Sequence, residues 1–349
     1  MMMRGGWWLV GFVFLGACES GPGRQSDSAG GAAATGRKAA AENEPGAAKA
    51  LAAPAENAIK AGSAGRLGRI PIFEYHVVGD SSSGMFSISR EEFRRDLQTL
   101  YDRGYRPITV AQLLDKDFSA VPAGMSPVVF TFDDSSPGQF SYVERNGELE
   151  IDSSTAVGIW LDFEKQHPDW KGRATFCVLP GAEAGHAFFG DKPQYRGQKN
   201  EWRHRKVKWL ADNGFELCNH TLWHAQLSKY PDAFVVEQIA RGQMAIDSAA
   251  PNYKVRTFAL PQGLWPKNRE LAWKGSWTDR RGRTTSYDYE TVLQVAGGPT
   301  RSPFDPEFDK RSLTRVIAFG KSVRETLDKL DANKTRFVWD GNSPGSSTP

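Results

Sequence analysis

The stretch Val128-Val129-Phe130-Thr131-Phe132-Asp133-Asp134 decides the fold. Its first five residues are apolar or β-branched and suit one short buried strand, and that strand runs straight into a pair of carboxylates. A second stretch, Cys218-Asn219-His220-Thr221-Leu222-Trp223-His224, carries two imidazoles four residues apart. Carboxylates on one segment and imidazoles on another are what a metal-assisted hydrolase needs. Three protein ligands leave a position of the cation open, and a second carboxylate remains free as a base. The i, i+4 spacing places His220 and His224 on one helical face. Zinc proteases use that spacing with Glu directly after the first His. Thr221 stands there in this chain, so the base comes from elsewhere, and at a strand end Asp133 and Asp134 diverge around one site.

Outward from this core the pattern alternates. Strands are expected at Ile70 to Val78, near Pro107, at Ala174 to Leu179, Phe215 to Asn219, Val255 to Leu260, Glu290 to Val295 and Thr314 to Ala318. Between them, helices are expected at Ser89 to Gly104, Ser153 to Gln166, Glu201 to Asn213 and Pro231 to Ala249. The first helix opens on a capping box, Ser89 with Glu92 three residues on, and Gly104 closes it. Alternating strand and helix argues a parallel α/β sheet or barrel, with both motifs at strand C-terminal ends, where barrel enzymes place their chemistry. Residues 135 to 170 form a long connection, and 185 to 200 a Gly-rich loop.

The chain has 349 residues and a formal charge of +3. That balance gives no case for nucleic-acid binding, which would call for a basic stripe, and no apolar run reaches a membrane span. The N-terminus reads as a secretory signal over residues 1–17: Arg4, then an apolar run from Trp7 to Ala17. It closes with Leu15-Gly16-Ala17-Cys18, which resembles the lipobox of bacterial lipoproteins and implies a lipidated Cys18 anchored to the membrane, with Glu19 favouring the outer one. Residues 18–66 are rich in Ala, Gly and charge without an aromatic, a composition that cannot offset its ordering entropy. They are expected to form a flexible tether, followed by a catalytic domain over 67–340 and a polar tail over 341–349. Cys177 and Cys218 fall on candidate strands. Two buried thiols are expected, with a disulfide as the alternative if the strands are neighbours.

Thr131-Phe132-Asp133-Asp134, Asn219-His220-Thr221-Leu222-Trp223-His224 and Thr257-Phe258-Ala259-Leu260-Pro261-Gln262-Gly263 resemble, in order, three motifs of the polysaccharide deacetylase (NodB-homology) superfamily, carbohydrate esterase family 4. The resemblance implies a distorted (β/α) barrel of about seven strands. It implies Asp134, His220 and His224 as ligands of a divalent cation, usually Zn²⁺, Asp133 as general base, and the Gln262 backbone amide as an oxyanion donor. Several positions depart from the family pattern. Ser135 replaces a Gly, Ala259 the usual Arg and Gln262 an aromatic residue, and no His follows His224 to serve as the late acid. In the subgroup resembling poly-β-1,6-N-acetylglucosamine deacetylases the acid His comes early. Phe73-Glu74-Tyr75-His76-Val77 fits that pattern, as does the late Leu313-Thr314-Arg315-Val316-Ile317, so the resemblance assigns the acid to His76.

The implied activity is removal of acetyl groups from N-acetylglucosamine-type residues of an extracytoplasmic polysaccharide, with Trp223 and Trp265 offering flat rings to sugars. A carbohydrate O-acetyl esterase and an inactive glycan-binding lipoprotein on the same fold are the alternatives. A non-haem iron oxygenase, which also uses two His and a carboxylate, is disfavoured by the second Asp. His167, His186 and His204 read as solvated.

Overall fold

The computed structural model describes residues 65–342, apart from 83, 182–187 and 191–196. The expected signal peptide, Cys18, the tether up to residue 64, His186 and residues 343–349 of the expected tail lie outside the described residues.

Eight parallel strands build the fold: β1 (Ile72–Tyr75), β2 (Tyr105–Ile108), β3 (Ser126–Phe132), β4 (Thr175–Val178), β5 (Glu216–Asn219), β6 (Thr257–Ala259), β7 (Thr291–Gly297) and β8 (Ser312–Ile317). Seven of them close a ring in the order β1-β8-β7-β6-β5-β4-β3, with β3 returning to β1. The eighth, β2, is the distortion. It pairs with the N-terminal half of β3, Ile108 opposite Val129, whereas β4 pairs with the C-terminal end of β3, Thr131 opposite Thr175. The sequence expectation of a distorted barrel of about seven strands therefore holds.

The period-2 alternation of each strand sorts its side chains onto two faces. Phe73, Tyr75, Phe130, Phe132, Phe176, Leu217, Phe258 and Val292 join one apolar cluster that packs under the helices. Ile72, Val129, Cys177, Cys218, Ala259, Leu293 and Leu313 form a second cluster, the barrel interior. Polar residues of that interior parity lie on either side of the apolar layer. Towards the strand N-termini, Glu216 accepts hydrogen bonds from Thr175 Oγ1 (2.9 Å), Thr257 Oγ1 (2.6 Å) and the Ala111 amide (2.8 Å). Towards the C-termini come Glu74, Thr131, Asp133, His220 and Arg315, all buried. Below, Phe118 packs on Phe337 and Trp339 with ring centroids 5.3 and 5.0 Å apart.

The helices are α1 (Arg90–Asp102), α2 (Val110–Asp115), α3 (Ala156–Gln166), α4 (Trp202–Asp212), α5 (Asp232–Ala249) and α6 (Ser322–Ala332). Helix α1 starts on the capping box read from the sequence, with both reciprocal bonds of Ser89 and Glu92 present. The long connection after β3 holds an antiparallel hairpin, Tyr142–Arg145 with Glu148–Ile151, and a second hairpin pairs Lys274–Thr278 with Thr284–Asp288. Among the described residues no helix is long and apolar enough to cross a membrane.

One expectation is corrected. Cys177 and Cys218 are register neighbours on β4 and β5 and are joined in a disulfide, their Cα atoms 4.1 Å apart. Both belong to the apolar interior layer, and the parallel register sets them side by side at one level.

Candidate functional site

Strand β3 ends at Phe132, and the chain turns at once. Asp134 and Ser135 take left-handed backbone angles, φ 72° and 55°. That turn lets the two carboxylates diverge: Asp133 keeps the interior parity and is buried, while Asp134 swings to the rim. Left-handed backbone is costly for a residue with a Cβ, so the family's Gly at position 135 has a physical reason. Ser135 occupies the same conformation, and its Oγ accepts a hydrogen bond from the Leu179 amide at 2.9 Å.

The His220–His224 segment is not the helical turn that its spacing suggested. It is an irregular loop after β5 in which Thr221 (φ 68°) and His224 (φ 65°) are left-handed. Asn219 organises this loop. Its Oδ1 accepts from the Thr221 amide (2.9 Å), and its Nδ2 donates to the Ile239 carbonyl (2.9 Å) and Tyr289 Oη (2.6 Å). Thr221 Oγ1 then accepts from the His224 amide (3.1 Å). The imidazoles meet with centroids 4.9 Å apart. Strain gathered at such loops is a mark of functional sites.

Three donor atoms converge. Asp134 Oδ1 lies 3.3 Å from His220 Nε2 and 3.5 Å from His224 Nε2. Bonds of about 2.1 Å to tetrahedral corners set ligand atoms about 3.4 Å apart, so both separations suit one small divalent cation. Asp134 Oδ1 and His220 Nε2 are buried with no hydrogen-bond partner, as atoms awaiting a ligand should be. On the far side of its ring, His220 Nδ1 donates to the Ala259 carbonyl at 2.9 Å, which directs Nε2 to the convergence point. Burial and the neighbouring His220 push His224 down to about 4, leaving its lone pair available. Burial raises the proton affinity of Asp134, but the two imidazoles outweigh it and hold the group well below the usual range. The residues fit a divalent cation of the Zn²⁺ class.

Beside this triad lies a buried charged layer. Arg315 of β8 grips Asp133 with two parallel bonds, Nη1 to Oδ1 and Nη2 to Oδ2, each 2.8 Å. Against the cost of burial, Arg315 holds the Asp133 carboxyl below its ordinary range. Glu74, His76 and Asp133 form a second cluster of possible ligands, but the Arg315 guanidinium already supplies its positive charge. The His76 backbone is fixed by Gln139 Nε2 (2.5 Å) and Ser136 Oγ (3.3 Å), which both donate to its carbonyl. Its ring meets Phe86 edge-on at 4.7 Å.

Thus Asp133, Asp134, His220, His224 and His76 come together at the C-terminal mouth of the barrel. Gln262 also sits at this end, in the turn Pro261–Gly263 after β6, with a left-handed φ of 57°. Trp223 is half exposed and packs on Phe234 at 5.8 Å. Trp265 has less free ring face, since Arg269 lies 4.0 Å over it and Trp273 is 5.0 Å away. His167 packs against Tyr101 at 4.1 Å and His204 is exposed; neither joins the cluster. Sequence reasoning missed the roles of Arg315, Glu74 and Asn219. The available signal was a charged residue at the interior parity of an apolar strand, which demands a buried partner.

Comparison with known proteins agrees with this geometry. Residues 169–274, spanning the second and third motifs, match the family described as polysaccharide deacetylase. No curated protein sequence matches the chain. A Streptococcus pyogenes deacetylase, PplD, solved in complex with acetate, is 18% identical with a TM-score of 0.52, over 75% of this chain and 98% of that one. Bacillus cereus BC0361, a polysaccharide deacetylase, is 15% identical with a TM-score of 0.52, over 76% of this chain and 69% of that one. Bacillus anthracis BA0330 gives 16% and 0.51, over 75% and 69%. At such identities the structural likeness speaks to the fold. The chain thus matches the polysaccharide deacetylase family over residues 169–274 and shares its fold with these structures.

Proposed function

Starting from that family match and shared fold, we propose that this chain is a metal-dependent hydrolase that removes acetyl groups from N-acetylglucosamine-type residues of an extracytoplasmic polysaccharide. The observation that carries the reading is the convergence of Asp134 Oδ1, His220 Nε2 and His224 Nε2 beside an Arg-held Asp133. A divalent cation held by Asp134, His220 and His224, most simply Zn²⁺, would supply Lewis acidity to water and to the acetyl carbonyl.

The remaining steps belong to the chain's own residues. Asp133 stays ionised because Arg315 opposes its protonation, and it accepts the proton of the attacking water. Its Oδ2 also faces His220 Nε2 at 4.0 Å, so the base lies at the edge of the ligand triad. The Gln262 amide donates to the oxyanion as it develops, a contribution most effective from a fixed donor. His76 protonates the leaving amine, a step worth roughly 10²- to 10⁴-fold and more pressing for an amide than an ester. Trp223, half exposed at the mouth, gives a sugar ring a face to lie on.

The signal peptide and Cys18 expected from the sequence support a location at the cell envelope on a lipid anchor. Replacing Cys18 by Ser is expected to release the protein from membranes; persistent membrane association would remove the anchor from this proposal.

The substrate class is tested by acetate release from chitin oligomers, β-1,6-linked N-acetylglucosamine polymer, peptidoglycan and acetylated xylan. Release from an N-acetylated glycan is expected. Release from xylan alone would make the protein an O-acetyl esterase, and metal binding without any release would favour the inactive glycan-binding reading.

A further inference from the structure

The link from β7 to β8, residues 298–311, carries no helix, so α6 has no helical neighbour from that connection. A cavity of about 630 Å³ lies between α6 and the two strands, within the roughly 300–1,000 Å³ of small-molecule sites. Val316 and Ile317 of β8 and Leu330 of α6 give it apolar surface, and Thr326 and Asn333 add hydrogen-bonding groups. Phe319, exposed just after the C-terminal end of β8, lines one end. Arg69, ahead of β1, lines the other. Helix α6 has 11 residues and runs back along β8, so the cavity leads from the barrel mouth towards the strand N-termini over roughly 16 Å. Its open charges are Arg69, Lys329 and Glu325. Neither Lys329 nor Glu325 has an ion-pair partner among the described residues, so the balance is positive. Arg315 also borders the cavity, but its charge is taken up by Asp133.

The mouth points the same way. Of the six large apolar side chains exposed among the described residues, all but Leu67 lie in loops that leave strand C-terminal ends. Trp223 and Tyr230 follow β5; Tyr230 stacks on Phe234 at 4.3 Å, and Trp223 meets that ring at 5.8 Å. Met85 and Phe86 follow β1, and Phe319 follows β8. In the strand ring β5 stands opposite the seam of β1 and β8. Exposed rings therefore flank the ligand triad on two opposite sides, and on the β8 side they lead into the cavity.

We propose that the cavity beside α6 is a second carbohydrate site, which holds neutral N-acetylated sugars of the same polymer whose reacting residue lies at the ligand triad. The inference rests on the deacetylase reading above. A sugar ring pairs an apolar face with a polar edge, and the lining offers both, the Phe319 ring and aliphatic strand residues beside Thr326, Asn333 and charged groups. The positive balance of Arg69 and Lys329 over Glu325 repels a chain of free amines. The site therefore retains acetylated polymer and releases the deacetylated product.

The test uses the full chain and its Thr326→Trp, Phe319→Ala and Lys329→Glu variants. Calorimetric titration of the metal-free proteins reads binding of β-1,4- and β-1,6-linked N-acetylglucosamine hexamers, their deacetylated forms and an oligogalacturonate hexamer. Acetate release by the Zn²⁺-loaded proteins is measured on the acetylated dimer and hexamer. Thr326→Trp fills the cavity and is expected to lower affinity for the acetylated hexamer about tenfold. Its kcat/KM should fall on the hexamer and stay at the wild-type value on the dimer, which is too short to reach past Phe319. Phe319→Ala should act in the same sense, and it carries the test if Thr326→Trp fails to fold. Lys329→Glu should shift preference towards the deacetylated hexamer. Unchanged hexamer affinity in both Thr326→Trp and Phe319→Ala overturns the proposal, as does a parallel loss on dimer and hexamer. Wild-type preference for the deacetylated or the oligogalacturonate hexamer overturns it too. If the wild type releases no acetate but its hexamer binding still depends on Thr326, the deacetylase reading falls and the site stands. If the hexamer is deacetylated equally by wild type and variants, the site falls and the reading stands.

Discussion

Arg315 holds Asp133 by a two-pronged pair inside the barrel, both contacts 2.8 Å and both side chains closed to solvent. The pair links the last strand to the first motif across 182 residues of chain. It also answers a departure seen in the sequence: Ala259 stands where the family carries Arg, and a guanidinium from β8 reaches Asp133 instead. Removing one partner of a buried pair leaves the other charge uncompensated, at a cost of about 3–5 kcal/mol. Arg315→Met is therefore expected to lower stability by that order. Arg315→Lys keeps the charge but loses the fork, and its activity should fall on the order of 10²-fold because the base is no longer oriented. Acetate release and thermal unfolding check the two variants; full activity in Arg315→Lys would show that the pair is structural only.

The ligand triad makes its own prediction. Asp134→Ala and His220→Ala should each abolish stoichiometric Zn²⁺ binding, measured by metal analysis after dialysis. His224→Ala should weaken binding least in structural terms, since His224 is the most exposed of the three. Unchanged metal content in Asp134→Ala and His220→Ala would remove these residues from the site. Chelation of the wild type is expected to lower its melting temperature, because a ligand bound only to the native state stabilises it.

Much of the fold was legible because its signals are local. The apolar run ending in Asp133, the Ser89–Glu92 capping box and the stop at Gly214 each depend on a few adjacent residues. The two half-sites were legible for the same reason. What escaped depends on contacts made only in three dimensions. His220 and His224 suggested a helical face, yet tertiary bonds of Asn219 to Ile239 and Tyr289, and of Trp223 to Gln238, hold the segment as a loop. The Cys177–Cys218 disulfide needed the register of β4 against β5. Glu74 and Arg315 read as interruptions of apolar strands until closure of the barrel brought them together.

Ser135 tests the strain at the first motif. Its φ of 55° suits Gly, and its Oγ accepts from the Leu179 amide. Ser135→Gly trades relief of backbone strain for one lost hydrogen bond of about 1 kcal/mol, so its melting temperature should lie close to wild type. Ser135→Val combines a β-branched side chain with left-handed backbone and loses the bond as well. It is expected to destabilise by about 2 kcal/mol or more, read by denaturant unfolding. Equal stability of the Val and Gly variants would refute the strain argument.

The Cys177–Cys218 disulfide joins residues 41 apart in sequence. Closing a loop of that length lowers the entropy of the unfolded chain by about 4 kcal/mol at 25 °C in the chain-entropy account. The bond is fully enclosed by the barrel interior, so a reductant should reach it only after unfolding. We expect native protein to show no free thiol at Cys177 or Cys218 in reductant, and refolding under reducing conditions to give a protein of markedly lower melting temperature. Thiol counting by mass spectrometry on native and unfolded samples distinguishes these cases. Rapid reduction of the native form would place the bond at the surface.

Glu74 also predicts how stability depends on pH in the metal-free protein. Its ordinary value is 4.5 and burial raises it to about 8 in the fold. Between those values the native state holds a proton that the unfolded state has released, so stability falls as pH rises through the window. Asp133 acts in the opposite sense. Its folded value is depressed, and its contribution is present above its ordinary 3.8 and is lost on acidification through the folded value. Glu74→Gln resembles the protonated carboxyl and removes only the first effect. The melting temperature of metal-free Glu74→Gln should therefore match wild type near pH 5 and exceed it progressively towards pH 8.5. The metal must be absent, because a nearby cation would favour the ionised carboxylate and flatten the difference. A wild type that gains on the variant as pH rises would mean that Glu74 is ionised and stabilising in the fold.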